Sequence, residues 1–186
     1  MTNKYMYFIA NWKMYGNTNS LNTLNKVIKF SKSKEINKGR IIYCPPFTLI
    51  SSFFRKFQNC LIDIGAQNCH ESDDYGPHTG FINSRMLKNI GANYVIIGHS
   101  ENREKGETNK LINQKIKSAI KANLKVIFCI GETLKEKNNG KDGNNSLKDI
   151  EILSFSDQDI DITPNGPFNG FAGATQLRLA DADYGD

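Results

Sequence analysis

The sequence predicts an α/β fold in which strands and helices alternate around a parallel sheet. Short apolar stretches rich in β-branched and aromatic residues recur about every 30 residues. They contain almost no polar residues, which is typical of strands covered on both faces of a sheet. Stretches with apolar residues at helical spacing separate them, so the pattern indicates repeated βα units joined by right-handed crossovers.

The first unit begins with the apolar run Tyr5–Ala10, which predicts a buried strand ending at the polar residues 11–13. Apolar residues at helical spacing follow between Leu21 and Ile28, with Lys and Asn on the opposite face. Ser20 is expected to cap this helix, and Gly39 marks its end.

The second and third strands are predicted at Arg40–Cys44 and Leu61–Ala66. Two prolines stop the second strand because they lack the backbone N–H that a ladder needs. The apolar-rich segment Phe47–Phe57 predicts the helix between these strands. A long loop rich in Gly, Pro, Asp and His, Gln67–Phe81, follows the third strand.

The fourth strand, Tyr94–Ile97, follows a short helix predicted at Ser84–Asn89. Gly98 then permits a tight turn, and His, Ser, Glu and Arg side chains follow directly after it. Apolar residues between Leu111 and Ile120 predict the next helix, and Lys125–Ile130 is the fifth strand. It also leads into a Gly and a Glu, so polar residues recur at the ends of strands.

This recurrence favours a barrel over an open sheet. An open doubly wound sheet normally has a glycine-rich phosphate loop after an early strand, and the sequence contains no G-x-G-x-x-G. A (β/α) barrel needs no such loop and collects its active site from the C-terminal tips of several strands. The polar tips at 11–13, 99–101 and 131–132 fit that arrangement.

Composition excludes several classes of protein. The chain has 186 residues and 39% hydrophobic residues, enough for one domain with a core. No apolar run approaches membrane-spanning length and the first residues lack a signal pattern, so we expect a cytoplasmic protein with no membrane partner. The 4 Cys and 3 His form no metal-ligand spacing, which predicts reduced thiols, no metal and no cofactor.

Charge is distributed unevenly along the chain. Residues 1–141 hold 22 of the 24 Lys and Arg and 10 of the 19 Asp and Glu, a net charge of +12, whereas residues 142–186 hold 2 and 9, a net charge of −7. The basic region has no nucleic-acid motif, and its lysines are spread over helix surfaces without interleaved aromatic residues. We therefore expect no nucleic-acid partner.

Five short motifs carry a resemblance to a known family: N-W-K at 11–13, Q-N at 67–68, T-G at 79–80, G-H-S-E at 98–101 and C-I-G-E at 129–132. In this order and at these intervals they resemble triose-phosphate isomerase over residues 5–141. The resemblance implies a (β/α)8 TIM-barrel fold of which about the first five βα units are present. It also implies an isomerase of glycolysis and gluconeogenesis that interconverts dihydroxyacetone phosphate and glyceraldehyde 3-phosphate through an enediolate.

The resemblance assigns roles to individual residues. His99 matches the electrophile that polarises the substrate carbonyl as a neutral imidazole, a tuning for which this enzyme family is a standard example. Lys13 and Asn11 match the residues that meet the negatively charged phosphorylated triose. Glu101 matches a supporting carboxylate that orients neighbouring groups. Cys129 matches a cysteine behind the site, where we expect packing and no nucleophilic role.

The loop 67–81 resembles the family's dimer loop, which implies a homodimer. Gln67 opens this loop, and Thr79 with Gly80 takes the place of the residues that reach the neighbouring subunit's lysine and asparagine. Phe81 stands where the family usually has Glu, and Asn102 where it usually has Arg, two groups that would pair across the dimer. Because both charges are missing together, no unpaired charge remains and an apolar contact at Phe81 can replace the pair.

The match ends near residue 141. The family's glutamate base on the lid after strand six, and its phosphate-binding glycines after strands seven and eight, have no counterpart in the irregular acidic segment 142–186. We therefore predict a partial barrel at 1–141 and a non-matching tail rich in Asn, Asp and Gly at 142–186. We expect a truncated isomerase, inactive as this chain alone. The alternative is a non-catalytic binding or scaffold protein on a partial βα barrel.

Overall fold

The computed structural model describes residues 6–33, 39–129, 153–155, 158–160 and 179–181. Within these ranges, strands and helices alternate as predicted. The strands are β1 Met6–Asn11, β2 Gly39–Cys44, β3 Ile62–Ala66, β4 Tyr94–Ile97, β5 Lys125–Phe128, β6 Leu153–Phe155, β7 Gln158–Ile160 and β8 Leu179–Asp181. The α-helices are α1 Asn25–Ser31, α2 Ile50–Phe57, α3 Ser84–Asn89, α4 Ser100–Glu104 and α5 Asn109–Lys121.

The chain divides into two compact units. The first contains Met1–Gln67, Asn89–Tyr94 and Asn169–Asp186, and the second contains Asn68–Lys88 and Val95–Phe168. In the first unit β3, β2, β1 and β8 lie side by side in that order. All of these neighbours are parallel. For β1, β2 and β3 the covered, apolar strands predict this, whereas β8 was not predicted.

An aromatic cluster forms the core beside β1 and β2. Phe53 of α2 is fully buried, and its ring meets the ring of Trp12 edge-on at a centroid distance of 5.0 Å. Phe57, one turn further along α2, meets Phe53 edge-on at 5.5 Å, and Tyr43 of β2 lies 5.7 Å from Phe57. The edge-to-face geometry suits the ring quadrupoles, so α2 is fixed on β2 with a defined orientation.

The helix before β2 begins differently from the prediction. Its first turns, Thr18–Leu24, are a 3₁₀-helix, and the α-helix starts only at Asn25. Ser20 is not the cap: the Asn17 side chain accepts the Asn19 N–H at 2.9 Å, and the Ser20 hydroxyl accepts the Asn17 N–H at 3.1 Å. The prediction of Ser20 as N-cap was therefore wrong, because Asn17 satisfies the first N–H groups three residues earlier.

The second unit is built on β4 and β5, which are neighbours in the sheet. Val95, Ile96 and Ile97 have no exposed surface, which confirms the prediction of a buried strand from four uninterrupted apolar residues. Helix α5 is capped by Thr108, whose side chain accepts the Leu111 N–H at 3.3 Å. Its buried face includes Ile112, as the helical spacing predicts.

Within the acidic segment the structure describes three short strands. β6 and β7 pair antiparallel, and β8 pairs with β1 with Leu179 opposite Ile9 and Asp181 opposite Asn11. The predicted boundary at residue 141 and the predicted tip at 131–132 lie outside the described residues. No helix in the described part of the chain is long and apolar enough to cross a membrane.

Candidate active site

The tip of β1 presents the first group of predicted site residues. Asn11 is only 6% exposed, and its side-chain oxygen accepts the backbone N–H of Lys13 at 3.0 Å. Lys13 has a φ of 51°, a left-handed conformation that a residue other than glycine rarely adopts. Such strain persists where the surroundings hold it and is frequent at functional sites. The tip of β1 is therefore a tight turn with a fixed backbone, and Lys13 lies in this turn.

Gln67 braces this turn. Its Nε2 donates to the carbonyl oxygen of Lys13 at 2.7 Å and to that of Cys44 at 2.8 Å, so both amide hydrogens are used. The tips of β1 and β2 are thereby tied to the end of β3. The sequence predicted Gln67 only as the first residue of the loop 67–81. Its position directly after the third strand also indicated that it could contact the neighbouring strand ends.

The tip of β4 presents His99 as the N-cap of α4. Its Nδ1 accepts the backbone N–H of Glu101 at 3.2 Å, so the proton of the neutral ring must be on Nε2. The Glu101 carboxylate lies 3.7 Å from the same Nδ1 and is 52% exposed, while the His99 side chain is 14% exposed. This arrangement fixes the orientation of the ring through Nδ1 and leaves Nε2 for a contact with another group.

Two thiols of the second unit, those of Cys69 and Cys129, are unsuited to nucleophilic chemistry. Burial raises the pKa of Cys129 to about 11, against the opposing charge of Arg103. Burial likewise raises the pKa of Cys69 to about 11. The thiolate is the reactive form of cysteine, so neither side chain is a nucleophile near neutral pH. This supports the interpretation of Cys129 as a packing residue.

A buried charge pair lies in the second unit, and sequence reasoning missed it. Glu107 and Lys115 are 9% and 7% exposed, and the Lys115 ammonium donates to a Glu107 carboxylate oxygen. Lys115 also donates to the Asn68 side-chain oxygen at 3.0 Å. The sequence did contain an indication that Lys115 is buried. Lys115 lies three residues after Ile112 and four before Ala119, so it shares their face of α5.

The loop 67–81 is anchored at several points and exposed at its far end. Ser118 of α5 donates to the Ser72 carbonyl at 3.1 Å, and Lys121 pairs with Asp73. The other end projects from the unit: Thr79 and Gly80 are exposed. A rigid base therefore supports an exposed tip.

Two aromatic residues of this loop are exposed to solvent. Tyr75 is 67% exposed and Phe81 63% exposed. The Phe81 ring meets the His70 ring edge-on at 4.9 Å, and the His78 ring lies 4.4 Å from His70 on centroids. Exposed aromatic residues held in place by neighbours are typical of interaction surfaces.

The predicted site residues fall into both units. Asn11, Lys13 and Gln67 are brought together in the first unit. His99 and Glu101 are brought together in the second, which also holds Thr79 and Gly80. In the described part of the chain, no group of three or more His, Cys, Asp or Glu is arranged to hold a metal ion.

Comparison with known proteins gives one consistent result. A family model described as triosephosphate isomerase matches residues 6–157. Proteins named triosephosphate isomerase are 42% identical to this chain in Alkaliphilus oremlandii, over 69% of this chain and 51% of the relative, and 42% identical in Bartonella henselae, over 72% and 53%. The chain thus spans about half the length of the curated relatives it matches.

A solved structure agrees with these sequence matches. The crystal structure of triosephosphate isomerase from Bartonella henselae is similar with a TM-score of 0.70 and 36% identity, over 78% of this chain and 61% of that chain. The predicted fold class, an α/β chain carrying about the first five βα units of a TIM-type barrel, is confirmed by this match.

Proposed function

The chain belongs to the triosephosphate isomerase family, and from that premise we propose that it carries part of the site that interconverts dihydroxyacetone phosphate and glyceraldehyde 3-phosphate. The supporting observation is the state of His99, whose Nδ1 accepts the Glu101 N–H and leaves Nε2–H as the donor. As in the family, we expect the protein to act in the cytoplasm, in glycolysis and gluconeogenesis, without a cofactor.

His99 is the proposed electrophile. A neutral imidazole that donates through Nε2 stabilises the negative charge developing on the substrate oxygen more than it stabilises the ground-state carbonyl. Because Nδ1 is already engaged by a backbone N–H, the ring needs no rearrangement to present that donor. Glu101 supports this geometry through its backbone N–H and its position in the first turn of α4.

Lys13 and Asn11 are the proposed contacts to the anionic substrate. The ammonium of Lys13 is a compact charge suited to a phosphate or an enediolate oxygen. Its backbone is fixed by the Asn11 side chain and by Gln67, which reduces the conformational entropy lost on binding. Lys13 therefore provides a positioned charge for an anion.

Proton transfer from carbon also requires a base within reach. The motifs that match the family do not include its lid glutamate, and the one glutamate of the segment 142–186, Glu151, lies in K-D-I-E-I-L, which is unlike the lid motif. We therefore propose that this chain alone binds the substrate weakly and turns it over far more slowly than its family.

Binding is tested by calorimetric titration with glycerol 3-phosphate, a stable analogue of the substrate. We expect weak binding that declines with added salt and falls at least about tenfold in Lys13→Ala, since a charge-assisted contact contributes roughly 1.5–3 kcal/mol. The control is Lys26→Ala, which removes an exposed lysine of α1. Equal affinity for both variants would remove the support for Lys13 as a substrate contact.

The same variants are then assayed for isomerisation, coupled to oxidation of glyceraldehyde 3-phosphate. We expect little turnover, and any turnover should disappear in His99→Gln. Turnover at the family's level that is lost in His99→Gln would show that the chain has a base which the motif comparison missed. A folded protein with neither binding nor turnover would favour the alternative of a non-catalytic binding or scaffold protein.

We also propose that the chain forms a homodimer through the loop 67–81. The support is the exposed tip with Thr79, Gly80 and Phe81 on a base fixed to α5. An apolar Phe81 contact then replaces the ion pair that the family makes at this place, and Asn102 leaves no unpaired charge opposite it.

Phe81→Glu is expected to weaken the dimer by at least about tenfold, because it places a carboxylate in an apolar contact without a cation. Analytical ultracentrifugation across a concentration series measures the change. The double variant Phe81→Glu/Asn102→Arg restores the family's pair and should regain affinity. If the single and double variants associate as the unmodified chain does, Phe81 is not at the interface.

A further inference from the structure

Arg103 joins three elements behind His99. It lies in α4, and its Nε donates to the carbonyl oxygen of Gly98 at 2.7 Å. Nη1 donates to the Asn109 side-chain oxygen at 2.8 Å, and Nη2 to the Cys129 carbonyl at 3.4 Å. The guanidinium therefore connects the tip of β4, the start of α5 and the end of β5.

The backbone that Arg103 holds is the residue before the proposed electrophile. Gly98 has a φ of +76°, and a Cβ placed there would lie 3.0 Å from Arg103 Nη2 and 3.3 Å from the Cys129 carbonyl oxygen. The guanidinium is thus packed against the glycine backbone as well as bonded to it. The Gly98 carbonyl belongs to the peptide group between Gly98 and His99. The orientation of this peptide group therefore sets the position of the His99 backbone from which the imidazole side chain extends.

Arg103 is suited to this contact by shape and charge. The planar guanidinium donates hydrogen bonds to acceptors in several directions. The ammonium of lysine cannot reproduce this pattern of donors. Burial lowers the pKa of Arg103, and the nearby Glu107 carboxylate opposes that change. The group stays positively charged at any physiological pH, so its hydrogen bonds do not depend on titration.

We propose that Arg103 is a positioning residue for His99: it fixes the Gly98–His99 peptide, so that His99 keeps Nδ1 on the Glu101 N–H and presents Nε2–H as the donor. This inference rests on the proposed function for its catalytic meaning, although the positioning itself is a property of the folded chain. Loss of Arg103 frees the Gly98 carbonyl, and the His99 ring then exchanges between its two neutral tautomers.

The test reads the tautomer of His99 directly, by ¹⁵N nuclear magnetic resonance of the imidazole rings near pH 8. In the unmodified chain His99 should show the pattern of a ring protonated at Nε2. In Arg103→Lys and Arg103→Ala the Nδ1 and Nε2 shifts should move toward each other. Adding ethylguanidinium should restore the original pattern in Arg103→Ala and have no effect in Arg103→Lys, whose side chain fills the space.

Two internal standards distinguish positioning from general loss of structure. His70 and His78 lie in the loop 67–81, so their signals should stay unchanged in both variants. Arg85→Lys alters an exposed arginine that pairs with Asp74 and should leave His99 unchanged. Unchanged His99 shifts in a folded Arg103→Ala would overturn the proposal, as would shifts that move equally in all three histidines.

The outcome is independent of the proposed reaction. If glycerol 3-phosphate does not bind the unmodified chain while the His99 tautomer still depends on Arg103, the reaction is wrong and the positioning stands. Suppose instead that the unmodified chain binds glycerol 3-phosphate, that Arg103→Ala changes the binding enthalpy and affinity less than about twofold, and that the His99 shifts are unchanged. The proposed positioning role of Arg103 is then wrong, and the proposed reaction stands.

Discussion

Replacing Lys115 with Met is expected to destabilise the folded chain by about 3–5 kcal/mol, because it leaves a buried carboxylate without its cation. Glu107 is 9% exposed, and Lys115 forms an ion pair with it. Its second oxygen, Oε2, is buried and has no hydrogen-bond partner among the described residues. The Asn68 side chain also loses the hydrogen bond that it accepts from the Lys115 ammonium.

Urea unfolding followed by circular dichroism measures this effect, and two variants control it. Lys121→Met breaks an ion pair with Asp73 on the exposed surface, so it should lower the unfolding midpoint far less than Lys115→Met does. Lys115→Met/Glu107→Gln removes both charges and should recover part of the loss. Equal midpoints for Lys115→Met and Lys121→Met would contradict the assignment of a buried, interdependent pair.

Phe53→Ala is expected to cost about 3–5 kcal/mol by opening a cavity in the aromatic cluster. The Phe53 ring is fully buried and contacts Trp12 and Phe57 edge-on, at centroid distances of 5.0 and 5.5 Å. Both contacts disappear together with the transfer free energy of the buried ring. Thermal unfolding at several scan rates should show a lower midpoint in the variant.

The neighbouring residue provides a matched control. Phe54 lies on the same helix and is 42% exposed, so Phe54→Ala removes the same atoms with less loss of buried surface. We expect it to cost less than half as much as Phe53→Ala. If both substitutions lowered the midpoint equally, the helix propensity of α2, and not the cluster, would determine its stability.

Much of the fold was predictable because local pattern and burial agree in this chain. Tyr94–Ile97 forms β4 at the predicted residues, and Ser84–Asn89 forms α3 at the predicted residues. All four residues of β4 are buried, and α3 buries Leu87 while Met86 remains exposed. The predicted helix around residues 111–120 likewise forms within Asn109–Lys121.

The unpredicted features depend on contacts between residues distant in sequence. Gln67 meets Lys13 54 residues away, and Lys115 meets Asn68 47 residues away. Local sequence periodicity cannot predict contacts between residues so far apart in the chain. In addition, a lysine on a helix is expected to be exposed to solvent. Residues 11–13 and 99–101 could be predicted as site residues because active sites of α/β folds lie at the ends of strands. The residues that hold them in position could not be predicted from the sequence.

Trp12 makes the β1 tip observable without a label. It is the only tryptophan in the sequence, it is 4% exposed, and it stands between Asn11 and Lys13. Its indole lies against Phe53 with Tyr43 at 6.2 Å, so excitation of that tyrosine can transfer to it. The tryptophan emission therefore reports one position: a blue-shifted spectrum marks an intact β1 tip, and a red shift marks water reaching the residue beside Lys13.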